Sequence, residues 1–165
     1  MQYIPTLKHW QVFIIFLVVS YLHTFGMPLS VNILILMVLF ALWHYAVVIQ
    51  IHTKVVNDPE ESHSIDFFKA SCYLFPILSV ANTWNYLLVK KSPPTSGGHI
   101  MFIIAIGAVL TYSYMIWFTS GVLLKAEPVN RRGAVNRMLI LLWLVLFPIG
   151  IWFIQPKVNK LFKES

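Results

Sequence analysis

Four histidines, His9, His23, His44 and His52, flank or lie inside the opening apolar stretch of this chain. Imidazole can ligate haem iron, relay a proton or bridge two helices by hydrogen bonds. His9 and His23 are fourteen residues apart, about 21 Å along a helix and about 40° from one face. That spacing suits two stacked haems only if the next helix answers it at matching depths. Counted back through an antiparallel hairpin, His44 falls about 10 Å, and His52 about 0 Å, from the N-terminal side. His23 and His44 then miss each other by about 10 Å in depth. Haem stays an open cofactor reading, without a matched pair of axial nitrogens.

An ionisable group inside a bilayer is a functional candidate by default. The competing reading is a neutral histidine that ties helices together, worth about 0.6–2 kcal/mol. Both readings stand for His23 and His44. The third apolar stretch adds a polar stripe: Ser79, Asn82, Thr83 and Tyr86 follow i, i+3, i+4, i+7, one face of a helix. That face should look into a bundle, because an amide turned to lipid leaves polar groups unpaired. The same depth count sets Asn82 near the level of His23, and His44 near Thr111, Tyr112 and Tyr114 of the fourth stretch and Cys72 and Tyr73 of the third. Two polar clusters are expected. They would either line a ligand pocket or a polar path, or act as interhelical glue.

Absences narrow the chemistry. No Asp or Glu lies inside an apolar stretch, which argues against an acidic proton relay or a cation pump. Boxes of the HxxxH, CxxC, HExxH and Walker types are missing. Thr119-Ser120-Gly121 has no general base placed by spacing, and Glu60 with His63 offers only two metal ligands on a loop. Cys72 is the single cysteine and has no partner for a disulfide in this chain. Covalent chemistry by the chain's own residues is not expected.

The elements that must position these groups are set by apolar length. Residues 10–51 contain no Lys, Arg, Asp or Glu and are interrupted once, at Gly26-Met27-Pro28. A bilayer core takes about 20 helical residues, so this stretch is two spans and a turn. The whole chain of 165 residues, 58% hydrophobic and 11% charged, reads as an all-α polytopic integral membrane bundle forming one domain. Five transmembrane helices are expected, near residues 10–25, 31–51, 67–89, 100–124 and 138–154. Small residues Gly107, Ala108, Thr111 and Gly121 allow close helix approach in the fourth. Leu74-Phe75-Pro76-Ile77 recurs as Leu146-Phe147-Pro148-Ile149. Read as a pair, they are kinked helices around a midplane site; the alternative is coincidence among apolar letters.

The net charge of +6 resides beside the spans, where it faces lipid headgroups; no basic face with interleaved aromatics suggests nucleic acid. Five crossings with a cytoplasmic N-terminus place Lys8, Lys54, Lys69, Lys125, Arg131, Arg132 and Arg137 inside. They leave Lys90, Lys91, Lys157, Lys160 and Lys163 outside. Positive residues favour the inside, so this orientation is preferred, and the basic tail is what weakens it. The residues after Lys8 lack a small-x-small cleavage site, so the first span is read as uncleaved.

Five spans, this length and this many aromatics are similar in outline to the tryptophan-rich sensory protein family, which binds porphyrins and sterol-like ligands. That family's Trp/Pro-rich first loop has no counterpart in the Gly26–Ser30 turn, and no residue is carried over. The expected function is non-catalytic binding, of a hydrophobic small molecule or of partner membrane subunits, including a second copy of the chain. The alternative is a haem-binding redox protein or a small-solute transporter with a His-lined interior. His23, His44, Tyr73, Ser79, Asn82, Thr83, Tyr86, Thr111 and Tyr114 are the candidate ligand-binding residues.

Overall fold

The computed structural model describes residues 9–55, 62–89, 97–126, 136–147 and 149–163. Among the described residues every regular element is helical. Helix α1 (His9–Tyr21) runs into a 3-10 turn (Leu22–Phe25). Helices α2 (Leu29–Val55), α3 (Ser62–Val89) and α4 (Gly97–Ala126) come next along the chain. Two shorter helices, α5 (Arg137–Val145) and α6 (Ile151–Lys163), complete the fold.

Three helices, α2, α3 and α4, are long and apolar enough to cross a membrane. The outer faces of α3 and α4 leave Phe67, Ile77, Phe102, Ile103 and Leu110 exposed. Exposed apolar surface of that extent is what lipid, not water, tolerates. Residues Gln11–Tyr21 make α1 a shorter apolar helix. Its junction with α2 depends on Gly26, whose φ of 95° lies in the left-handed region that glycine enters without strain. The amides of Val31 and Asn32 then bond the Pro28 carbonyl and start α2. The buried Asn32 side chain donates to the Ser20 carbonyl at 3.2 Å, fastening α2 to α1.

The stretch expected as the fifth span divides instead. Helix α5 has nine residues, and the chain then turns before α6 begins. Trp143 and Phe153 stack with ring centroids 3.9 Å apart and an interplanar angle of 19°. Residues ten apart in one straight helix stand about 15 Å apart along its axis, so the chain reverses between them. Gly150 makes the reversal possible: a Cβ there would fall 1.6 Å from the Trp143 carbonyl oxygen. Only a residue without a side chain fits.

Packing is uneven along the bundle. Ile65, Phe68, Cys72 and Phe75 form the buried stripe of α3, at spacings of three and four. They meet buried residues of α2 between Phe40 and Ile51 and of α4 between Met115 and Leu123. Ile140 and Leu144 of α5, with Ile151, Ile154 and Val158 of α6, close the same core. The core therefore occupies the end of the bundle that holds the C-termini of α2 and α4. Toward the α1–α2 turn the helices part.

Arg137 docks α5 on α4 at the packed end. Its guanidinium lies 3.6 Å over the Trp117 ring and donates to the Trp117 carbonyl and the Ser120 hydroxyl. Gly121 leaves the space: a Cβ there would come within 3.2 Å of the guanidinium.

Candidate functional site

Where the helices part, a cavity of about 460 Å³ opens. Helix α1 contributes Phe16 and Ser20 to its wall, and α2 contributes Leu36, Met37 and Phe40. Phe75 of α3, Ala108, Val109 and Tyr112 of α4, and Phe147 from the α5–α6 turn close it. The lining is apolar apart from the Ser20 and Tyr112 hydroxyls. The Ser20 hydroxyl is already donated to the Phe16 carbonyl, as a helical serine usually arranges. Such a space suits a ligand that brings hydrocarbon and few polar atoms.

Phe40 is the hub of the wall. Its ring centroid lies 4.9 Å from Phe147 at 88°, 5.4 Å from Tyr112 and 6.0 Å from Phe75. Its ring is also 4.4 Å from His44, one helical turn along α2. His44 is fully buried, so it stands one aromatic ring away from the cavity. His44 Nδ1 lies 2.8 Å from Thr119 Oγ1 on α4. The Thr119 hydroxyl donates its single hydrogen to the Met115 carbonyl at 2.8 Å. It can then only accept from the ring, which places the imidazole proton on Nδ1. Nε2 is left as a bare lone pair, buried and without a hydrogen-bond partner among the described residues.

Beside it, the Trp43 ring stands edge-on to His44 at 5.1 Å and 89°. Trp43 Nε1 donates to Gln155 Oε1 at 3.0 Å, and Gln155 Nε2 donates to Asn159 Oδ1 at 3.1 Å. These bonds join α6 to the middle of α2. The buried polar layer is thus His44–Thr119 between α2 and α4, and Trp43–Gln155 between α2 and α6.

The structure disperses the other candidates. Tyr73 is 65% exposed, its ring 6.3 Å from Tyr45. Thr111 is half-buried and donates within its own helix, to the Gly107 and Ala108 carbonyls. Tyr114 donates to the Ser64 carbonyl at 3.2 Å and meets Phe67 edge-on. None of these is the hydrogen-bond partner that His44 takes. Ser79 and Thr83 are half-buried and return their hydroxyls to the Phe75 and Ser79 carbonyls; Asn82 is half-buried on the same face. The side chains of His23 and Tyr86 lie outside the described residues.

Thr119, Gln155, Phe40 and Phe147 emerge only from the fold. The sequence signal for Thr119 was its place beside Ser120, two polar residues in the apolar last third of α4. Gln155 begins the polar tail, and nothing local shows that the chain turns it back into the core.

Among the described residues no group of three or more His, Cys, Asp or Glu is placed to hold a metal ion. Haem does not fit at His44. The ring is enclosed by Phe40 and Trp43, His52 is two turns away on the same helix, and His99 is exposed near the far end of α4. Compared with known proteins, the chain matches no family model, no curated relative and no solved structure.

Proposed function

We propose that this protein is a membrane-embedded, non-catalytic binder of a hydrophobic small molecule that enters from the bilayer. Helices α2, α3 and α4 cross the membrane, and α1 with its 3-10 turn makes a fourth crossing, with the N-terminus in the cytoplasm. The observation that carries the reading is the apolar cavity of about 460 Å³ between α1, α2, α3 and α4. An apolar space of that size, open on one side, offers surface that a hydrophobic occupant can cover. The long, lipid-compatible outer faces of α3 and α4 supply the route by which an apolar ligand arrives.

His44 adds a buried, unpaired polar atom near this space. Its bare Nε2 matches a ligand that carries a hydrogen-bond donor, such as a hydroxyl, at one end of a hydrocarbon body. Phe40 separates the two, so such a ligand reaches His44 by turning that ring.

A diazirine-bearing fatty alcohol in proteoliposomes tests the reading. Crosslinks are expected on Phe16, Met37, Phe40 and Tyr112. Ala108→Trp, which fills the cavity, should remove them without lowering the melting temperature. Crosslinks confined to the exposed residues of α3 and α4, unchanged by Ala108→Trp, would mark ordinary lipid contact and overturn the proposal.

A further inference from the structure

We infer that α5 and α6 form a re-entrant hairpin, which enters and leaves the bilayer on the cytoplasmic side and sets the lysines of α6 against anionic lipid headgroups. Helix α5 is nine residues long, about 14 Å, less than half of a hydrocarbon core of about 30 Å. The chain reverses after it, as the Trp143–Phe153 stack and the Gly150–Trp143 contact require.

The contacts give the direction of both arms. Arg137 starts α5 at Trp117 and Ser120, in the last third of α4. The turn at Phe147 meets Phe16 at 4.6 Å and Phe40 at 4.9 Å, deeper in the bundle. Trp152 then touches Phe13, one turn nearer the start of α1 than Phe16. Helix α6 therefore travels back along α1 toward the packed end. It buries Ile151, Ile154, Gln155 and Val158 and exposes Lys157 and Lys160.

The charge balance of the whole chain changes accordingly. With a re-entrant hairpin, Lys157, Lys160 and Lys163 join Lys8, Lys54, Lys69, Lys125, Arg131, Arg132 and Arg137 on one side. Only Lys90 and Lys91 remain opposite. A weak seven-to-five bias becomes ten to two, the asymmetry that short loops of membrane proteins carry. Anionic lipids of the cytoplasmic leaflet are the complementary surface for that end.

The inference rests on membrane insertion and not on any ligand, so its tests do not depend on the cavity. In the full chain, Lys160→Cys in a Cys72→Ser background should react with a membrane-impermeant maleimide in inside-out vesicles and not in intact cells. A green fluorescent reporter after residue 165 should fluoresce, and a phosphatase that works only outside should be inactive there. Labelling in intact cells, or an active phosphatase, would overturn the hairpin. In nanodiscs, replacing part of a zwitterionic lipid with phosphatidylglycerol should raise the melting temperature of the parent and not of Lys157→Glu/Lys160→Glu. An equal rise in both would overturn the headgroup contact.

Discussion

His44 and Thr119 form one hydrogen bond across α2 and α4, and the histidine is its donor. Nδ1 and Oγ1 are 2.8 Å apart, and the threonine proton is committed to Met115. The pair satisfies half of the imidazole and leaves Nε2 unpaired in a fully buried site. A residue kept only for cohesion would be replaced by an apolar one at little loss.

Melting the variants of this pair tests that statement. Thr119→Val strands Nδ1–H as well as Nε2 and should cost about 1–3 kcal/mol. His44→Leu removes both stranded atoms and should melt no lower than the parent. The double variant should then sit near His44→Leu, so the coupling in the cycle equals the Thr119→Val cost, about 1–3 kcal/mol. A His44→Leu protein that is less stable than Thr119→Val would make the histidine a structural tie.

Gly150→Ala should be among the most damaging single-methyl additions available in this chain. The added carbon meets the backbone of Trp143, which cannot swing away as a side chain would. A loss of about 3 kcal/mol or more is expected, at the upper end of overpacking effects. Gly107→Ala is the control, since its Cβ would stand 3.4 Å from Leu78 in ordinary contact. Detergent melts of the two should differ widely; equal melts would show that the turn is not built as described.

Arg137→Ala should loosen α5 from α4. The variant gives up the cation over Trp117 and two hydrogen bonds. The guanidinium is partly exposed, so a loss of about 1–2 kcal/mol is expected. Arg137→Lys keeps the charge but not the planar fork and should recover only part of it. Proteolysis within residues 127–135, with gel mobility as the readout, reports the loosening directly.

Gln155→Leu should strand the Trp43 indole N–H in a buried place, at about 1–3 kcal/mol. Gln155→Glu preserves the acceptor and, if it stays protonated, should be milder at pH 5 than at pH 8. Equal melts of the Glu variant at both pH values would place residue 155 in water.

The three long helices were legible because apolar length alone decides them. Span five was not, although its composition is as apolar as the rest. Leu74-Phe75-Pro76-Ile77 lies within one continuous helix, where Pro76 is tolerated. The matching Leu146, Phe147 and Ile149 lie in the turn that ends α5. The two copies part at their C-terminal ends: Leu78 and Ser79 continue a helix, whereas Gly150 lets the backbone press on Trp143.

Depth counting had similar reach. It put His44 near the middle of the second span, level with residues of the third and fourth; in the structure its hydrogen-bond partner is on α4. It chose Cys72, Tyr73, Thr111, Tyr112 and Tyr114 as neighbours and not Thr119, because register between helices depends on side-chain packing that spacing within one helix does not encode. Thr119 lies one to two turns from that choice. The polar stripe of α3 does continue the buried one, from Ile65 through Phe75 to Ser79 and Asn82. The Ser79 and Thr83 hydroxyls close on their own helix, to the Phe75 and Ser79 carbonyls.

The contacts of α1 also fix an order of manufacture. Phe13 and Phe16 leave the ribosome first, yet they pack on Trp152 and Phe147, which leave it more than a hundred residues later. Until then α1 is held by its turn and by Asn32, with its inner face uncovered. Helix α5, at nine residues, is too short for the insertion machinery to hold as a span. The hairpin therefore reaches α1 only after the three long helices have been made. Shortening the chain by its last helix would leave the first one unfinished.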